Sequence, residues 1–216
     1  MSKINSIYKL KDKLDKAFSW RLVEISYLKK LLATTPEKKK VALMRASVPV
    51  LYAHWEGFIK QSSRLYLDFV SGQNMKYQDL NDSFVAVGLM KELGKHGVKV
   101  GKKGNLTAVN FLRNKMEEKA SFPKDGVINA KSNLNSEVML EILNVIGFDE
   151  KHYQTKWNLI DESLLGRRNS IAHGEYMDIT ERSYQDLSDE VVALLRQFKN
   201  DIENYASRSR YKRNVA

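Results

Sequence analysis

Residues 180–205 read TERSYQDLSDEVVALLRQFKNDIENY. Tyr184, Leu187, Val191, Leu194, Phe198, Ile202 and Tyr205 recur every three or four positions, and charged or polar residues fill the gaps. That is the period of a helix with a single buried face. Thr180 is placed to cap the helix, and Ile179 to staple against Tyr184 across the first turn.

The same period extends back along the chain. A helix is expected from about Lys156 to His173, with Trp157, Ile160, Leu164 and Ile171 inward and Gly174 as its C-cap. Asn135-Ser136-Glu137 reads as a cap for Val138, Ile142, Leu143 and Ile146, with Gly147 as the stop. Near the N-terminus, Ile7, Leu10, Leu14, Phe18, Leu22, Ile25, Leu28 and Leu32 form one stripe. Thr35-Pro36-Glu37 then reads as an N-cap, a first-turn proline and a dipole-matched acid. The second helix carries Val41, Met44, Val48, Trp55, Ile59, Tyr66 and Phe69, and Pro49 inside it should kink or split it. Long helices near 5–33, 36–70, 156–173 and 180–206, joined by short turns, predict an all-α antiparallel helical bundle.

Residues 71–131 are less regular. Gly94 to Gly104 holds four glycines and five basic side chains, which reads as an exposed loop. The expected organisation is one helical domain over 1–206, a central basic loop insertion at about 71–131, and a frayed basic tail at 207–216. The 216 residues suffice for a buried core, and 43% hydrophobic with 29% charged residues is ordinary for a globular protein. The absence of cysteine excludes disulfides and thiol chemistry. No run of about 20 apolar residues suggests a membrane span, and the N-terminus does not resemble a signal peptide, so a cytoplasmic protein is expected. The net charge of +10 is uneven: +7 over 1–90, +6 over 91–131, −7 over 132–206 and +4 over 207–216. A polyanion would meet the front half, the middle and the tail.

Most site signatures are missing. There is no phosphate-binding glycine loop, no HExxH, and His54, His96, His152 and His173 are too scattered for zinc, so neither metal nor cofactor is expected. What remains is Arg167-Arg168-Asn169-Ser170-Ile171-Ala172-His173-Gly174-Glu175, a fixed cation and an imidazole five residues apart at a helix end. Arginine presents planar donors to phosphate oxygens, and histidine both takes and gives protons near neutrality. RNA cleavage needs little more, since the substrate's own 2′-hydroxyl is the nucleophile. By composition alone, such a pair more often caps and solubilises a helix end.

Arg168-Asn169, three residues, then His173 resembles the RX4–6H motif of the HEPN superfamily. The order of Leu51–Lys60, Asn133–Val138 and this motif resembles a prokaryotic branch of it. The resemblance implies a helical bundle, usually dimeric, with two motifs meeting to form one RNA-cleaving site in toxins or phage-defence ribonucleases. An antitoxin or defence-complex subunit is then an expected partner. It implies catalytic roles for Arg168 and His173 and a polar role for Asn169. Arg167 also satisfies the spacing, but Arg168 shares the face of Leu164 and Ile171. Glu56 fits either an orienting role or a structural partner for an arginine; His54 flanks the same stripe, and His152 reads as a surface residue. Arg167, Lys95, Lys99, Lys102 and Lys103, with His96 nearby, are the expected RNA contacts. Two other readings use the same residues: a non-catalytic HEPN module binding a nucleotide or a protein, and a nucleic-acid adaptor in which the motif only packs.

Overall fold

The computed structural model describes residues 4–95, 101–123, 125–130 and 133–213. Three long helices form its frame: α1 (Ile7–Thr34), α2 (Glu37–Gly72) and α7 (Glu181–Ser207), each packed on the other two. α3 (Asp82–Lys95), α4 (Lys102–Asn114), α5 (Ser136–Ile146) and α6 (Arg167–Ala172) complete it. The chain is all-α, and among the described residues no helix is long and apolar enough to cross a membrane.

The stripes produce this frame. Leu10, Leu14, Phe18, Ile25 and Leu32 of α1 are buried against Val48, Trp55, Phe58 and Ile59 of α2 and the full expected stripe of α7. Ile7 sits at the margin, 36% exposed. Ser6, Asn135 and Thr180 each accept the backbone N–H three residues on, opening α1, α5 and α7. Gly147 ends α5 with φ of +72°, a conformation glycine adopts without strain.

Five expectations change. Thr35 does not cap α2; its hydroxyl donates to the Leu31 carbonyl and finishes α1, leaving Pro36 at the α2 N-cap. Pro49 does not split α2, which runs through it, because the buried side chains on both sides hold one continuous face against α1 and α7. The expected loop 94–104 is partly helical: Gly94 and Lys95 end α3, and Lys102, Lys103 and Gly104 begin α4. Phe111, 1% exposed and 5.0 Å from the Tyr77 ring, anchors α4, and that packing overrides glycine's cost of about 1 kcal/mol in a helix. His96 and Lys99 lie outside the described residues, as does the side chain of Lys95. The tail is docked through Arg213, not frayed. Tyr211 is buried edge-on to Phe69 at 5.7 Å, its carbonyl accepts from Asn81 N–H at 2.9 Å, and Lys212 pairs with Leu80.

The fifth change positions the site. The segment before Arg167 is not a plain α-helix. Leu159–Gly166 is π-helical, so each residue there advances by roughly 80° around the axis instead of about 100°. Ile160, Leu164 and Leu165 are thereby brought to one face, and all three are buried.

Candidate functional site

The wider turn decides which arginine faces the protein. Arg168 enters the same face as Ile160 and Leu164, and its guanidinium lies 5.0 Å above the Tyr52 ring. One of its nitrogens donates to Asn169 Oδ1 at 2.7 Å and to Asn133 Oδ1 at 3.1 Å. Arg167 points elsewhere, donating to Ser183 Oγ of α7 at 2.8 Å. Both partners of Arg168 are neutral amides. Among the described residues no carboxylate forms an ion pair with it, so its charge is oriented but not cancelled.

Tyr52 is the floor of this cluster. Its hydroxyl accepts the Leu134 N–H at 2.6 Å and faces the Glu56 carboxylate, and burial pushes the phenol above its ordinary pKa. Glu56 also accepts Lys60 Nζ at 3.2 Å. The neighbouring loop is tied down by Ser136, whose backbone N–H donates to Asp161 at 2.7 Å and whose hydroxyl donates to the same carboxylate.

His173 is the exposed C-cap of α6. Gly174, at φ +79°, donates to the Ile171 carbonyl, and Glu175 N–H donates to Ser170. These paired bonds fix the helix end and the base of the His173 side chain. Sequence reading passed over Arg45 of α2, which donates to the Glu175 carbonyl at 2.8 Å and lies 5.5 Å from the Tyr176 ring. It clamps the segment that follows His173. No periodicity flagged it, because its contacts are all to one distant segment across the fold.

A family model described as HEPN_MAE_28990-like HEPN matches residues 10–211. The chain belongs to this HEPN family. No curated protein and no solved structure gives a match. HEPN membership suggests a nuclease-like or RNA-related role. The expected motif residues are divided between a half-buried Arg168–Asn169 group and an exposed His173. Of the other expected site residues, Glu56 joins the Arg168 group through Tyr52. His54 does not. It is 3% exposed between α1 and α2, with Nε2 2.9 Å from Glu24 and its ring edge-on to Trp20. Burial lowers its pKa. His152 is a surface residue 3.5 Å from Asp201. Lys102 and Lys103 are exposed on α4, which packs on α3 and not on the α2–α6 contact. Among the described residues no group of three or more His, Cys, Asp or Glu is arranged to hold a metal ion.

Proposed function

We propose that this HEPN protein is a metal-independent endoribonuclease. The substrate's 2′-oxygen bonds to the adjacent phosphorus as the bond to the 5′-oxygen breaks, leaving a 2′,3′-cyclic phosphate and a 5′-hydroxyl. Arg168 holds the phosphate and its developing charge, and His173 transfers protons between the 2′-hydroxyl, solvent and the 5′-oxygen. Asn169 and Glu56 orient these groups. The observation that carries the reading is the Arg168 guanidinium, stacked on Tyr52 and held by two amides with no carboxylate paired to it among the described residues.

Arg168 and His173 lie five residues apart, roughly 140° beyond a full turn of an α-helix. One copy therefore directs them to different sides, and a two-fold pair of chains brings His173 of one copy to Arg168 of the other. A toxin or phage-defence role, with an antitoxin or defence-complex subunit as partner, follows from the family resemblance. The test is purified protein with RNA in EDTA, with analysis of product ends. The expected products carry cyclic phosphates, DNA is not cut, and His173→Ala loses about 10²–10⁴-fold. A Mg²⁺ requirement with 5′-phosphate ends, or nucleotide binding without cleavage, refutes it.

A further inference from the structure

A separate cleft of about 790 Å³ lies between α1 and α2, within the roughly 300–1,000 Å³ of ligand sites. Lys13, Lys16, Lys60 and Arg64 surround it, against the carboxylates of Asp68 and Asp125. Ala17, Gly57 and Gln61 line its floor, and Arg21 lies directly behind them. Arg21 is 5% exposed, and its guanidinium donates to the Ala17 carbonyl and to Gln61 Oε1. Gly57 makes room for it, since a Cβ there would stand 3.2 Å from Arg21 Nη2. Among the described residues no carboxylate pairs with Arg21. A buried charge without a counter-charge is costly, and an arriving anion would relieve it.

The cleft also has an aromatic wall. Trp20 is 50% exposed although the Arg21 guanidinium lies 4.4 Å from its ring centre and His54 meets its edge. Cations beside an open indole are the means by which single-stranded nucleic acid is held, phosphate on charge and base on ring. Lys60 stands two four-residue steps beyond Tyr52 on α2, about 12 Å along the helix and about 80° around it. That is a reach of a few nucleotides.

We propose that the α1–α2 cleft is a subsite for single-stranded RNA, stacking a base on Trp20 and seating backbone phosphate on Lys60 and Arg64, upstream or downstream of the phosphate at Arg168. The subsite rests on the reading of this chain as an RNA-binding protein, but not on cleavage. It is tested by fluorescence anisotropy with a 2′-O-methyl oligonucleotide of twelve residues, which lacks the nucleophile and reports binding alone.

Trp20→Ala should weaken binding on the order of 10–100-fold, and Trp20→Phe should restore most of it. Arg64→Ala should lower the slope of log K against log salt by about 0.7, the value for one phosphate contact. Arg64→Ala and Trp20→Phe keep the test open should Trp20→Ala not fold. Wild-type protein that cuts RNA while all three variants bind like wild type overturns the cleft and leaves the ribonuclease reading standing. Trp20-dependent binding without any cutting does the reverse. Inorganic polyphosphate or an acidic peptide binding with the same Trp20 dependence, or AMP alone displacing the oligonucleotide at equal affinity, also overturns an RNA-strand site.

Discussion

Deleting Ser163 should leave the fold and the Arg168 site in place, although removing a residue from a packed helix ordinarily rotates everything beyond it. Take buried Ile160 as zero. At roughly 80° per residue to Gly166 and 100° beyond, Leu164, Leu165 and Arg168 fall at about −40°, +40° and −40°. In an unbroken α-helix lacking Ser163 they fall at about −60°, +40° and −20°. The same segment forced into an α-helix with every residue kept would put Leu165 at about 140° and Arg168 at about 80°, with Arg167 near −20° in its place. The deletion thus converts a π-turn to an α-turn while both leucines stay buried, avoiding a loss of about 1.5–3 kcal/mol for each side chain exposed. We expect destabilisation under about 2 kcal/mol, a melting shift below about 8 °C at 2–4 °C per kcal/mol. RNA cleavage should stay within tenfold. The comparison is deletion of exposed Ala53 from α2, which swings Trp55, Phe58, Ile59 and Tyr66 by about 100° and should abolish folding. Thermal denaturation and a cleavage assay read both variants. A Ser163 deletion as unstable as the Ala53 deletion, or stable yet as inactive as Arg168→Ala, refutes the phase argument.

Arg168→Ala should reduce cleavage about 10²–10³-fold while the protein stays folded, and Arg168→Lys should recover only part, since an ammonium cannot reproduce the planar fork; full activity in Arg168→Lys refutes this. Neutralising Lys95, Lys99, Lys102 and Lys103 should weaken RNA binding and flatten its salt dependence, with cleavage at saturating RNA unchanged. Tyr211→Ala should cost about 3 kcal/mol by denaturant unfolding, because the docked tail loses its buried ring; a negligible change would mean that the tail contributes nothing. Burial holds the His54 pKa below its unfolded value of about 6.5, with Glu24 opposing and Arg21 reinforcing the shift, so the unfolded state binds the extra proton. Stability should therefore fall as pH drops below about 6.5, and His54→Gln should flatten that decline in melting temperature.

Periodicity carried the fold because it is a property of every residue in a stripe. Seven inward positions of α7 are all buried, and so are the four expected in α5. Local readings fared differently. Thr35 has a hydroxyl equally suited to opening α2 or closing α1, and the Leu31 carbonyl claimed it. The glycines around 94–104 argue against helix, but Phe111 several residues later outweighs them by docking on Tyr77. Tyr211 in a run of basic residues reads as solvent-exposed until Phe69 and Asn81 are seen beside it. Counting back to Leu164 and on to Ile171 placed Arg168 inward, which the structure also gives. It did so without the π-turn, which shifts Leu165 and Arg168 together and leaves no composition signal.

The residues missed by sequence reading share one arrangement with the residue it found. Arg168 and Arg21 each lie against an aromatic ring, Tyr52 at 5.0 Å and Trp20 at 4.4 Å. Each donates to side-chain amide oxygens, from Asn133 and Asn169 in one case and Gln61 in the other. Neither forms an ion pair with a carboxylate among the described residues. Amide oxygens orient a guanidinium without neutralising it, and a ring covers one face while the charge remains directed outward. A cation placed only for stability would more economically meet a carboxylate, as Lys199 does with Glu203 and Asp15. Two arginines without a paired carboxylate among the described residues, one stacked on Tyr52 and one beside Gly57 and Gln61 of the same helix, are the kind of charge placement expected where phosphates are to be held.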